Sequence, residues 1–118
     1  DESVFSPEDA AEIIRTRAAD LLNIKLMKTG GIWQALKICS LAEMYGVECM
    51  IGCMLESKLA VSAAAHLAAA KRVITRADLD GPSLCKTDPF TGGPLYENGV
   101  IRMTDAPGIG ITRVPAFV

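Results

Sequence analysis

Three short apolar stretches recur at intervals of about 25 residues, separated by helix-like segments, and this rhythm limits the folds open to the chain. The stretches cover residues 23–27, 48–54 and 73–80. A helix precedes the first: Ser6 suits an N-cap, Pro7 the first helical position, and Glu8 and Asp9 the first turn. It is expected to run to about residue 21, with Ala10, Ile13, Ile14 and Ala18 as its apolar stripe. Gly30-Gly31 opens a second helix over residues 32–45, with Leu36, Cys39 and Ala42 inward and Gly46 at its C-terminus. Glu56-Ser57 starts a third, alanine-rich helix that runs to about residue 72.

Helix and strand alternating with short connections describe a parallel sheet with helical crossovers. The spacing approaches the roughly 30-residue unit of a (β/α)8 barrel. Three strands cannot close a barrel, and standing alone they leave two open parallel edges. The expected fold is therefore α/β: the C-terminal part of a (β/α)-barrel, strands six to eight with their helices, over residues 1–82. The opening Asp1-Glu2-Ser3, with no Met and a helix cap close behind, looks cut from something longer.

Beyond Asp80 the pattern changes. Pro82, Pro89, Gly92, Gly93 and Pro94 mark a loop, and Asn98-Gly99 between Leu95-Tyr96 and Val100-Ile101-Arg102-Met103 signals a hairpin. Residues 106–110 read as irregular. Residues 83–118 are expected to be a loop, hairpin and tail that dock on a further, N-terminal capping domain.

Composition removes several functional classes. The formal charge of −2 leaves no basic footprint, and three Phe, two Tyr and one Trp offer little for base stacking, so nucleic acid is a poor partner. Half of the 118 residues are hydrophobic, too many for disorder. Cys39, Cys49, Cys53 and Cys85 form no CxxC pair, and His66 stands alone in the alanine-rich helix, so a zinc site is not expected. Reduced thiols of this kind suit the cytoplasm. The longest apolar run, near residues 59–70, is interrupted by Ser62 and His66 and is too short to span a membrane.

The chemistry is expected where the strands end. On a strand, Ile24 and Leu26 share one face while Asn23, Lys25 and Met27 share the other. The apolar pair suits packing beneath helices, so Lys25 points to the opposite side, where a lysine is costly unless paired or used. The bland alternative is a lysine snorkelling from an edge strand. Glu56 follows the second strand, as a helix-starting residue or a site residue. Asp78 and Asp80 end the third with period two, which puts both carboxylates on one face, ready for a metal or a cationic group, or else capping the Gly81-Pro82 turn. Asp1 and Glu2 stand where another strand would end. Lys28 reads as structural. Gly30-Gly31 is open to a phosphate at the helix N-terminus, but a tight βα turn explains it more simply. Every strand exit thus carries an ionisable group.

These residues have a family. Asp1-Glu2-Ser3, Asn23-Ile24-Lys25 with Lys28-Thr29-Gly30-Gly31, Met54-Leu55-Glu56-Ser57 and Asp78-Leu79-Asp80-Gly81-Pro82 together resemble the enolase superfamily, in particular its muconate lactonizing enzyme subgroup. The Asp-x-Asp pair followed by Lys86-Thr87-Asp88 and Gly92-Gly93 looks like the dipeptide epimerases of the L-Ala-D/L-Glu type. The resemblance implies an isomerase that moves a proton at the carbon α to a carboxylate, through an enediolate, with Mg2+ as cofactor. It makes Asp1 the third of three carboxylate ligands of that ion, Glu2 its neighbour behind the ligands, and Lys25 the sixth-strand general acid/base. Asp78 and Asp80 would hold the α-ammonium of the dipeptide. Cys53 and Leu55 would line the peptide with backbone groups, and Glu56 would sit near the site.

The family's residue types suit the reaction. A divalent cation with oxygen ligands stabilises the charge that develops on the carboxylate. The base must be neutral near pH 7, which limited water and a neighbouring cation favour. A second acid/base, on the opposite face of the carbon, comes in the family from a Lys-x-Lys motif on the second strand, which these residues lack. The piece alone is accordingly expected to be inactive and insoluble, and the full-length chain to be a homo-oligomer. Within the superfamily, an N-acylamino acid racemase, an o-succinylbenzoate synthase or a muconate cycloisomerase is the alternative. Outside it stand a phosphate-binding barrel enzyme using Gly30-Gly31 and a non-catalytic fragment.

Overall fold

The computed structural model describes residues 3–116. The first helix, α1 (Pro7–Thr16), begins as its sequence requires. The Asp9 N–H donates to Ser6 Oγ at 3.1 Å, and Asp9 Oδ2 accepts in return from the Phe5 N–H at 3.0 Å. The helix ends five residues before the expected position 21. Arg17 takes the left-handed conformation at φ 51°, the Arg17 N–H reaches the Ile14 carbonyl, and the Ala18 N–H reaches that of Ile13. That double bond pattern satisfies two terminal carbonyls and stops the helix, but it is built on arginine instead of the glycine that normally marks it.

The early stop moves the first strand back by two residues. It is β1 (Leu21–Lys25), with Leu22 and Ile24 buried and Leu21, Asn23 and Lys25 half-buried. Lys25 does point away from the helix-packed face, as parity requires. Leu26 and Met27 are no part of the strand. They open a single helical turn, α2 (Leu26–Thr29), in which Leu26 still packs on the core. Gly30 and Gly31 follow at φ 80° and 104°, backbone values that glycine adopts at little cost, so the turn accounts for both. Then come α3 (Ile32–Tyr45), closed by Gly46, and β2 (Glu48–Gly52), which is two residues shorter than its apolar run. The last unit is α4 (Lys58–Ala70) and β3 (Ile74–Asp78), each trimmed at both ends relative to the sequence pattern.

The three strands form one parallel sheet in the order β1-β2-β3. Leu22, Ile24, Cys49 and Ile51, all at most 1% exposed, carry the sheet's side of the core. Ala10 and Ile14 of α1, Ala35, Ile38, Cys39 and Ala42 of α3, and Val61, Ala64 and Ala65 of α4 close it. Small side chains on α3 and α4 let the helix backbones lie close to the strands. Among the described residues the outer edges of β1 and β3 have no ladder partner. That is the state of a barrel segment cut from its neighbouring strands. None of the helices among the described residues is long and apolar enough to cross a membrane.

The tail is more ordered than its composition suggests. A 3-10 turn, η1 (Gly81–Leu84), leaves β3. The expected hairpin is present as β5 (Leu95–Glu97) and β6 (Val100–Arg102), joined by Asn98 and Gly99 at positive φ. Residues 111–113, read as part of an irregular end, form β7 (Ile111–Arg113) and pair antiparallel with β4 (Thr91–Gly92). The tail also holds the barrel piece. Ser57 makes no side-chain cap for α4; instead Asp88 Oδ2 accepts from the Lys58 N–H at 2.6 Å, a cap supplied from 30 residues downstream. Ile101 and Met103 pack against the core.

Arg17 is a non-glycine residue in a glycine position, and its replacement has a definite sign. Relief of a strain of roughly 1–2 kcal/mol, less the roughly 0.5–1 kcal/mol entropic cost of glycine, leaves Arg17→Gly more stable by about 1 kcal/mol. A thermal or urea unfolding comparison checks this, and a destabilised variant would contradict the cap geometry.

Candidate functional site

Parallel pairing sets three positions side by side at the C-terminal ends of the strands. Lys25 pairs with Gly52, and Gly52 with Asp78. Paired residues of neighbouring parallel strands project to the same face, and here it is the face opposite buried Ile24 and Ile51. Lys25 and Asp78 therefore flank Gly52 on one surface, with backbones roughly 10 Å apart across two strand spacings.

Gly52 is what makes this rank usable. A Cβ built there would lie 2.8 Å from Asn23 Oδ1 and 3.2 Å from Lys25 Cε. Both side chains of β1 thus lean across the neighbouring strand over the space the glycine leaves. Lys25 Nζ reaches the exit of β2, donating to Met54 Sδ at 3.8 Å. A glycine inside an apolar strand pattern signals such a close approach, a sign that the expectations drawn from the sequence did not use.

At the third strand the two aspartates flank Leu79, which is buried at 2% exposure while both carboxylates are exposed. The strand ends at Asp78. Asp80 has turned into the right-handed helical region (φ −85°, ψ −4°) at the head of η1, so the pair shares an exposed side without sharing a strand. Its side chain makes no capping bond to that turn. Gly81 then touches the exit loop of β2: a Cβ there would lie 2.9 Å from the Met54 carbonyl oxygen and 3.2 Å from the Glu56 backbone.

Glu56 sits behind this rim. Only 8% exposed, it accepts from the Met54 N–H at 2.9 Å and so braces the loop that carries Cys53, Met54 and Leu55. Leu55 is 79% exposed and Cys53 half-buried. Burial pushes the Cys53 thiol up; a backbone hydrogen bond from Gly81 pulls it down, and Glu56, Asp80 and Asp78 push it up again. The thiol therefore stays protonated, chiefly because it is buried, with the three carboxylates adding to the same direction.

Tyr96 belongs to the same neighbourhood and was not expected there. Its hydroxyl donates to the Leu79 carbonyl at 2.8 Å. Burial first, then Cys53, Asp80 and Asp88, raise its pKa to about 12. A cavity of about 280 Å3 lies between the hairpin and the third strand, lined among others by Asp78, Asp80, Tyr96 and Asn98. Nothing in the hairpin's turn signal distinguishes a tyrosine with this role from an ordinary strand residue.

Asp1 and Glu2 lie outside the described residues. Among the described residues, no group of three or more His, Cys, Asp or Glu side chains is gathered closely enough to hold a metal ion. Lys25, Asp78, Asp80, Cys53, Leu55 and Glu56 are all placed at the strand exits, with Glu56 turned inward as a brace.

Residues 1–116 match the family described as Enolase C-terminal domain-like. The chain is 66% identical over 114 residues to the L-Ala-D/L-Glu epimerase of Clostridium acetobutylicum, covering 97% of this chain and 32% of that protein. Among solved structures, a substrate-liganded complex of the L-Ala-D/L-Glu epimerase from Bacillus subtilis superposes with a TM-score of 0.90 at 57% identity, covering 94% of this chain and 31% of the other. The dipeptide epimerase from Enterococcus faecalis, complexed with Mg and the dipeptide L-Leu-L-Tyr, superposes with a TM-score of 0.90 at 48% identity, covering 95% and 32%. The chain spans about a third of the length of the curated relatives it matches. With its family model matched almost end to end and a parallel sheet of the expected order, the chain belongs to the Enolase C-terminal domain-like family and forms a C-terminal part of its (β/α)-barrel.

Proposed function

We propose that these residues are the C-terminal part of a Mg2+-dependent dipeptide epimerase that works by 1,1-proton transfer at the carbon α to the carboxylate. The observation that carries this reading is the rank at the strand exits. A lysine and an aspartate share one surface across a glycine, with a second aspartate just beyond and the exit loop of β2 between. The family and the epimerase relatives support it.

In this reading Lys25, as an amine, takes the proton from one face of the α-carbon of one diastereomer to leave an enediolate, and the opposing lysine of the longer polypeptide gives a proton to the other face. In the reverse direction Lys25, as an ammonium, is the donor. Asp78 and Asp80 pair with the substrate's α-ammonium. Both are exposed, so their hold on the cation strengthens as the rest of the site excludes water. Cys53 and Leu55 offer backbone groups to the peptide, and Glu56 keeps their loop in place. Magnesium when bound supplies positive charge against the developing negative charge of the enediolate. Asp1 is proposed as one of its ligands, a hard oxygen donor of the type this ion takes. The remaining ligands, the opposing lysine and the capping domain on which residues 83–118 would dock are assigned to the rest of a longer polypeptide.

Two variants of that longer polypeptide test the reading. Asp80→Asn removes one charge of the ammonium pair, and a lost charged hydrogen bond of roughly 1.5–3 kcal/mol raises KM for a dipeptide about tenfold or more. An N-acylamino acid racemase has no substrate ammonium, so an unchanged KM would favour that alternative. Gly52→Val puts a branched side chain where Asn23 and Lys25 lean, displacing Lys25 and lowering kcat on every substrate. Wild-type kcat in that variant would mean that the position of Lys25 does not matter. Activity in the parent enzyme should fall with a chelator and return with Mg2+.

A further inference from the structure

Tyr96, in the tail, bonds to the backbone between the two aspartates. Leu79 has passed the last ladder pair of the sheet, Gly52 with Asp78, so its carbonyl needs an acceptor's partner from elsewhere. The phenol supplies it at 2.8 Å, and a hydroxyl with its pKa raised to about 12 remains a donor throughout the working pH range. The tyrosine is itself held. It pairs with Ile101 in the hairpin, and Ile101 packs on the core beside Met103.

On its other side the same segment is stopped by Gly81, whose backbone lies against the Met54 carbonyl and the Glu56 backbone too closely to admit a side chain. Residues 78–81 are thus held at Leu79 by the hairpin and at Gly81 by the exit loop of β2. Asp80, whose side chain makes no capping bond, is placed by these two contacts and by the Ser83 N–H, which donates to its backbone carbonyl at 2.8 Å.

We propose that Tyr96 is a positioning residue for the carboxylate pair: through the Leu79 carbonyl it fixes the spacing of Asp78 and Asp80, and so the fit of the site to a primary α-ammonium. The inference rests on the dipeptide epimerase reading and deepens it, extending the recognition of the cation from the barrel strand into the tail. The tail is then part of the binding site, with a job beyond closing the barrel.

The test compares wild type, Tyr96→Phe and Asp80→Asn in the full-length enzyme loaded with Mg2+. The readouts are steady-state kinetics on a dipeptide and competitive inhibition by the same dipeptide N-acetylated at its amine. Tyr96→Phe keeps the ring and its packing and removes only the donor. Freeing the Leu79 carbonyl lets the carboxylate pair shift and weakens its hold on the ammonium, so KM for the free dipeptide rises about three- to tenfold, with kcat within about twofold of wild type. Inhibition by the acetylated compound, which carries no ammonium, should stay as in wild type. An unchanged KM in Tyr96→Phe beside a raised KM in Asp80→Asn overturns the role of Tyr96 and leaves the epimerase reading standing. A parallel rise in KM and in the inhibition constant of the acetylated compound also overturns it, because a general loosening of the fold acts on both ligands. No effect of Asp80→Asn on the dipeptide removes the reading itself, and the inference with it.

Discussion

The structure depends on one constraint, the parallel register that aligns Lys25, Gly52 and Asp78 across three strands. A slip of one residue in either pairing would turn the polar side of the sheet toward the helices and bury charge among Ile24, Ile51 and their neighbours. The register is held from the helix side, where Leu22, Ile24, Cys49 and Ile51 meet the buried faces of α3 and of the alanine-rich α4. The apolar half of each strand therefore decides where the polar half presents its groups. Packing and site are two faces of the same alternation.

The sequence was most informative where periodicity and burial act together. The order of elements, the direction of Lys25 and the tail hairpin follow from period-two alternation, helix stripes and the Asn98-Gly99 turn. Ends were harder to read. Helix α1 stops at Thr16 because Arg17 adopts a conformation for which its residue type gives no sign. Strand β2 stops at Gly52 although the apolar run continues, because Glu56 and Gly81 draw the next residues into a loop. Both are tertiary or backbone effects that local propensity does not encode.

Long-range side-chain bonds were the least legible. Ser57 stands where an N-cap belongs, yet Asp88 caps α4 from the tail. Tyr96 reaches Leu79 from 17 residues downstream. Asp88 lies in a stretch that reads as a loop and Tyr96 in a hairpin strand, and neither local pattern points to a bond with the last βα unit. The grouping of Lys25, Glu56, Asp78 and Asp80 at the strand exits was foreseeable, because parallel strands of a barrel deliver their last residues to one rim. How each group is braced there needed three dimensions: Gly52 clearing space, Glu56 turned inward, Tyr96 holding the turn.

The central claim is that Lys25 moves a proton at one face of the substrate's α-carbon. It is tested most directly by following α-proton exchange in D2O, with both diastereomers of a dipeptide and the full-length enzyme carrying Lys25→Met. Two acid/base groups serve opposite faces, so removing one ends epimerisation while the other still exchanges the proton it faces. The account predicts no interconversion and deuterium entering only one of the two diastereomers. Interconversion at the wild-type rate, or exchange of both diastereomers, would contradict it.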